Sequence, residues 1–248
     1  VSKAMNRREL WPAGAALLLV WQISAVLINQ PIFPPPIRVG IALWQELQQG
    51  LIGHFAVSLW RVAASTFLAI SLASPLGLIL GQSPRLNRVI SPMIYLLYPI
   101  PKVVLVPVFI LLFGIGDLPK ILIIFVILFF QILVLVRDRA ASLPRELIQS
   151  VRSLGAGRRA LFRFVYFPAT LPAMLTALRQ SIGTAVAVLY VAELFATQRG
   201  LGYYIYLKGS TLFDYPAMYA GIVAMSVLGF GLYVCVEWLE RRLSPWQF

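Results

Sequence analysis

Few side chains in this sequence are of types that make or break bonds. Its 248 residues include one histidine, His54, one cysteine, Cys235, and nine scattered acidic residues. A lone cysteine gives no intrachain disulfide and no cysteine-based metal site. His54 has no second histidine with which to share a metal, and packing is the simpler role for both residues. The four lysines, Lys3, Lys102, Lys120 and Lys208, follow Ser2, Pro101, Pro119 and Leu207, so none completes the Gly-Lys-Ser/Thr of a phosphate-binding loop. No catalytic constellation and no bound cofactor is expected on this chain. Two kinds of feature remain: charges set inside apolar runs, and one polar, basic segment between them.

The charges are Arg61, Lys102, Arg179 and Glu193. A charge at the centre of a membrane helix costs about 2.5–3.5 kcal/mol on insertion scales, so each needs a reason. Lys102 stands among Pro99, Pro101 and Pro107. It could face a pathway and attract an anion, or it could pair with carbonyls freed by the prolines. Arg61 and Glu193 fall near the outer ends of their apolar runs. They could pair and shape an outer gate, or each could reach the headgroups separately. Arg179, in the inner half of its run, is expected to snorkel.

The polar segment, residues 144–168, reads PRELIQSVRSLGAGRRALFRFVYFP. Pro144 suits the first turn of a helix. Leu147, Val151 and Leu154 recur at i, i+4 and i+7, which makes one apolar stripe. Gly155 supplies the left-handed residue that ends a helix. A short amphipathic helix followed by a second basic stretch is therefore expected. Such a helix could lie in lipid headgroups or dock its stripe into a groove on a partner.

The elements that position these residues must be membrane helices. The chain is 60% hydrophobic and 12% charged, against about 45–50% and about 25% in a soluble domain. Six apolar runs can each approach the ~20 residues that a span needs: 11–29, 56–80, 91–113, 120–136, 172–195 and 217–238. The prolines predict a kinked or broken third span. The first run follows Lys3, Arg7 and Arg8 and resembles a signal peptide. No small-x-small cleavage site follows Ile28, so it is read as an uncleaved span. A net charge of +12 raises the question of nucleic acid. The basic residues, however, lie between apolar runs and not on one polar domain. Lys3, Arg7 and Arg8, the 81–90 loop with Arg85 and Arg88, the arginine-rich 137–168 loop, and Arg241 and Arg242 all fall on one side of a six-span chain. The positive-inside rule makes that side the cytoplasm, with both termini in it. Between the first two spans, residues 30–55 open on Pro31, Pro34, Pro35 and Pro36, which favours extended backbone. A helix over 39–49 is possible there, but a plain connector is the favoured expectation. Gly77 and Gly81 form a small-xxx-small pair that could let helices approach closely.

The spacing of 144–168 resembles the loop signature of membrane subunits of binding-protein-dependent ABC importers. That signature reads Glu-Ala-Ala, three residues, Gly, nine residues, an aliphatic residue, any residue, Leu-Pro. Gln149, Ser150 and Val151 stand at the first triplet, with Gly155, Val165 and Phe167-Pro168 in register. The triplet departs from the pattern, and Glu146 supplies a carboxylate nearly one turn earlier. Pro101-Lys102 through Pro107, Phe113 to Asp117, Pro172 to Arg179, Glu193, Gly200 to Tyr203, and His54 with Ser58 and Arg61 resemble the nitrate, taurine and alkanesulfonate branch. Together these cover most of 54–242. The resemblance implies a single all-α permease domain over 1–248, with six transmembrane helices and the type I importer fold, in a bacterial cytoplasmic (inner) membrane. Residues 137–168 would be its coupling loop, and Glu146, Leu147, Gln149, Ser150, Val151, Leu154 and Gly155 would contact the ATPase. It implies a homodimer, two ATP-binding subunits that hold the ATP and Mg, and an extracytoplasmic binding protein that delivers a small solute, for which nitrate, taurine or a sulfonate is the leading expectation. The rival reading is a secondary transporter, which would show internal repeats and ion sites in its spans; no clear repeat is present.

Overall fold

A computed structural model describes residues 7–245. Lys3 lies outside them, and the side chains of Arg7, Arg8, Arg145 and Arg158 are likewise not described. The described chain is helical, with no strand. In order it forms α1 (Arg7–Ile28), α2 (Pro36–Gln48), α3 (Leu51–Gln82), α4 (Pro84–Leu97), a 3-10 turn (Lys102–Leu105), α5 (Val106–Phe113), α6 (Asp117–Ala141) and α7 (Arg145–Ser153). Then come α8 (Arg158–Leu161), a π-turn (Phe162–Tyr166), α9 (Phe167–Glu193), α10 (Leu201–Tyr206), a second π-turn (Leu207–Thr211) and α11 (Tyr215–Leu243).

Among the described residues five helices are long and apolar enough to cross a bilayer; α4 and the Lys102–Phe113 segment, bent by 75° to each other, add a sixth if the pair is one span. The break is the one that the proline cluster predicts. Pro101 cannot donate to Leu97, and the chain turns there before α5. The helices overrun the expected spans. Arg85 and Arg88 belong to α4, which Pro84 opens at its first turn, and not to a loop. Arg137 and Arg139 continue α6. α8, the π-turn and α9 follow without a gap, so Arg159–Glu193 form one 35-residue span.

The core is the packing of α3 on α6, with α9 against α6 and α11 against α9. Ala69, Ala73, Ile123, Ile124, Leu128 and Ile132 are among its buried residues. Gly77 and Gly81 set the α3–α6 spacing. A Cβ on Gly77 would lie 2.9 Å from Val136 Cβ, and one on Gly81 would lie 2.5 Å from the Arg137 carbonyl oxygen and 2.6 Å from Ala140 Cβ. The small-xxx-small pair is thus a contact face. Gln82 fastens the end of that face by donating to the Ala140 carbonyl.

The 30–55 segment is not a plain connector. Pro35 keeps extended backbone, with φ −68° and ψ 152°, but Pro36 opens α2 at its first turn. A proline there gives up no hydrogen bond, because the first N–H groups of a helix have no partner within it. α2 packs along α11.

Candidate functional site

The charges that the sequence leaves unexplained find partners in the fold. At one end of α9, Glu193 is fully buried. Arg61 Nη1 on α3 lies 2.7 Å from Glu193 Oε1. Ser58 Oγ, one turn earlier, lies 2.8 Å and 2.9 Å from the two carboxylate oxygens and accepts the Leu201 N–H at 2.8 Å. The Gly202 N–H donates to Glu193 Oε2 at 2.8 Å. Arg61 is engaged further: its Nε and Nη2 donate to Asp117 Oδ1 at 2.9 Å and 2.6 Å, and its Nη1 to the Arg199 carbonyl at 2.8 Å. The buried ammonium of Lys120 donates to the Gly116 and Ala196 carbonyls at 3.0 Å and 3.4 Å. Two cations and two carboxylates therefore balance in one cluster. It joins α3, the start of α6, the end of α9 and the segment leading into α10. A cleft of about 580 Å³, lined in part by Arg61, Gly116, Thr197 and Arg199, opens beside it.

Local backbone makes that cluster possible. Gly200, at φ +122°, has a conformation that L side chains rarely adopt, and a Cβ there would strike the Glu193 carboxylate. A Cβ on Gly202 would sit 2.7 Å from Glu193 Cβ and 2.8 Å from the Tyr190 carbonyl. The two glycines let the backbone close over the acid. His54 completes the cover, with Nδ1 3.1 Å from both the N and O of Gly200. With its proton on Nε2, the ring accepts the Gly200 N–H.

Of the expected pathway and gate residues, Arg61 and Glu193 come together, as one of the two readings proposed. Lys102 does not join them. Its ammonium donates to the carbonyls of Leu97 and Tyr98 at 2.8 Å and 3.0 Å and sits 4.6 Å from the Phe130 ring centre. It caps the broken end of α4. Leu97 O is the acceptor that Pro101, lacking an N–H, leaves free. Arg179 does not simply snorkel: Nη1 lies 3.2 Å from Glu240 Oε2 on α11, and Thr176 donates to the other oxygen of that buried acid at 2.9 Å. Sequence reasoning missed Glu240, and it missed Asp117 as a partner of Arg61. The second could have been suspected from an acid at a helix start beside Gly116.

The amphipathic helix lies at the far end of α9. α7 covers Arg145–Ser153, with Pro144 just outside its first turn and not in it. Gly155 follows at φ +83°, and its N–H closes on the Arg152 carbonyl at 2.9 Å. α7 packs against α8 and the π-turn. Val151 is half-buried, while Leu147 is 43% and Leu154 86% exposed. Glu146, Gln149 and Ser150 are exposed. The helix thus carries apolar side chains that the described residues leave uncovered.

A third polar contact ties α2 to the segment after α10. Lys208 Nζ lies 2.6 Å from Glu46 Oε1 and 5.6 Å from the Tyr204 ring centre. Burial, with the Glu46 carboxylate beside it, raises the Tyr204 hydroxyl above its ordinary pKa, so it stays neutral.

A helical bundle of long apolar helices with neutralised internal charges marks a polytopic membrane protein. Residues 73–245 match the family described as binding-protein-dependent transport system inner membrane component. The chain is 33% identical over 249 aligned residues to the taurine transport system permease protein TauC of Escherichia coli K12, covering 94% of this chain and 87% of that protein. It is 31% identical to the formylaminopyrimidine transport permease protein ThiX of Halalkalibacterium halodurans, covering 93% and 92%. Inward-facing structures of the MetNI methionine ABC transporter share its fold, with a TM-score of 0.69 at 19% identity over 80% of this chain and 98% of that one. The chain belongs to the family of binding-protein-dependent inner membrane transport components. It is an ABC importer permease subunit of the taurine and sulfonate branch, with the type I transmembrane fold, and the secondary-transporter reading falls away.

Proposed function

We propose that the whole chain, 1–248, is one permease domain that works as a homodimer in a bacterial cytoplasmic membrane, with both termini and the 137–168 loop on the cytoplasmic side. Two ATP-binding subunits on separate chains hold the ATP and Mg, and an extracytoplasmic protein delivers the solute. Glu146, Leu147, Gln149, Ser150, Val151, Leu154 and Gly155 form the surface that meets the ATPase. The observation that carries this reading is α7, which a left-handed Gly155 follows and on which Leu147, with Leu154 just past its end, is exposed. Helix-in-groove docking uses such a stripe. α8 and the π-turn join that surface directly to α9, so ATPase closure moves α9, and with it the far cluster.

Arg61 and Glu193 act at the outer gate in this reading. They lie at the end of α9 opposite α7, and they hold the α9–α10 connection through Gly202 and Arg199. For Lys102 the geometry supports a backbone-capping role over an anion-facing one. The solute is a small anion such as nitrate, taurine or another sulfonate. The likeness to TauC favours this class, and the likeness to ThiX shows how far such permeases range.

The test is affinity purification from native membranes of wild type, Gly155→Val and Gly155→Asn. A Walker-motif ATPase should accompany wild type at about one per permease chain. It should be lost from Gly155→Val, since left-handed backbone costs an L residue about 1–2 kcal/mol, and retained by Gly155→Asn, since asparagine tolerates that conformation. Absence of any ATPase from wild type in several mild detergents overturns the reading.

A further inference from the structure

α2 has three faces where a connector needs none. Val39, Ala42 and Glu46 are buried, with Leu43 half-buried beside them. Ile37, Ile41 and Trp44, at i, i+4 and i+7, are each more than half exposed; Leu47 extends the same face, and the exposed Gln48 ends it at the last turn of α2. Arg38, Gln45 and Gln49 occupy the arc between those two faces, and all three are exposed. In water such an apolar stripe would be an uncovered liability. In a soluble helix the apolar and polar residues divide into two faces, not three.

We propose that α2 lies in the outer lipid–water boundary of the bilayer, with its Ile37–Ile41–Trp44–Leu47 face in the acyl chains and its Arg38–Gln45–Gln49 arc in water. The occupant of the apolar face is lipid, because the chain fixes where α2 can be. It leaves the span α1 at Ile28 and enters the span α3 at Leu51, so both ends are within a few residues of the membrane surface. The apolar face is continuous in kind with the lipid-exposed flanks of those helices, where Val26, Leu27, Ile28, Ile52 and Trp60 are exposed. Body, lipid and water are the three media that meet at the rim of a membrane protein, and α2 has one face for each. Interfacial helices rest their apolar side about 5–10 Å into the headgroup–acyl boundary, and tryptophan is the residue favoured at that depth.

The body face does more than pack. Glu46 holds Lys208 at 2.6 Å, and Lys208 belongs to the turn that continues α10. α10 begins at Leu201 and Gly202, whose N–H groups close the Ser58–Glu193 contact. α2 is therefore a lipid-seated brace for the segment that covers the Arg61–Glu193 cluster. Its placement on the outer side rests on the orientation proposed above; its seat in lipid does not.

The test uses the full chain with Cys235→Ala, carrying single cysteines at 37, 41 or 44, or at 38 or 45, purified with its accompanying subunits into nanodiscs and labelled with a nitroxide. Spin labels at 37, 41 and 44 should relax with oxygen and be protected from a water-soluble nickel chelate by at least about threefold relative to 38 and 45. Equal access of the chelate to both sets overturns the proposal. Protection of 37, 41 and 44 from oxygen and chelate alike also overturns it, because a protein then covers the face. Labelling of the 38 cysteine by an impermeant thiol reagent in sealed right-side-out vesicles reads orientation separately. Failure of that step alone moves α2 to the other leaflet and leaves its lipid seat intact.

Discussion

At the scale of residues, the Arg61 cluster explains why charge stands inside this bundle. Breaking a buried ion pair costs about 3–5 kcal/mol, because the surviving partner stays buried and unmatched. Arg61→Glu should therefore abolish ATP-driven uptake and lower the melting temperature of the purified protein. The reciprocal swap, Arg61→Glu with Glu193→Arg, would be the natural rescue for an isolated pair. Here it places the new carboxylate against Asp117, which holds two of the Arg61 N–H groups. The double swap should restore little, and adding Asp117→Asn should restore more. Full rescue by the double swap alone would show that Asp117 contributes nothing. Matching depths in two apolar runs made a pairing of 61 with 193 one of two readings, and the structure shows the pair. Asp117 could be suspected only as an acid at a helix start; that Arg61 is its partner depends on how the start of α6 meets α3 across 56 residues of chain. Glu240 escaped for the same reason: nothing local to the end of α11 points to Thr176 or Arg179.

At the scale of elements, the contact between α3 and α6 rests on two glycines. Gly81→Val should force these helices apart, and overpacking of this kind costs about 1–3 kcal/mol. Gly53→Ala, in the same helix but with open space around it, should be neutral or slightly stabilising, as alanine is the better helix former by about 0.5–1 kcal/mol. Thermal unfolding in detergent compares the two, and equal melting temperatures would remove the glycine face from the account. The long apolar spans and the break at Pro99–Pro101 could be read from hydropathy and proline, since both act locally. The end of α7 at Gly155 was readable for the same reason. α2 was under-read, because a run of prolines signals extended backbone up to the last one, and that last one can equally start a helix. Helix ends were under-read as well, since amphipathic turns past the apolar runs pack on neighbours whose position the sequence does not state.

At the scale of the whole molecule, the division of labour with other chains is what uptake assays read. Proteoliposomes holding the permease with its ATPase and binding protein should accumulate solute only with ATP, and collapse of the proton gradient should leave the rate unchanged. Loss of uptake on gradient collapse at constant ATP would return the molecule to the ion-coupled class. Competition by nitrate, taurine and alkanesulfonates ranks the anion reading. The continuous helix Arg159–Glu193 gives this molecule a mechanical property. At about 1.5 Å per residue it runs roughly 50 Å, through the π-turn Phe162–Tyr166, and the Arg179–Glu240 pair ties it part-way along to α11. In the reading proposed above, a displacement received at the α7 end reaches Glu193 along one backbone, so opening at one face and closing at the other need no separate signal between them.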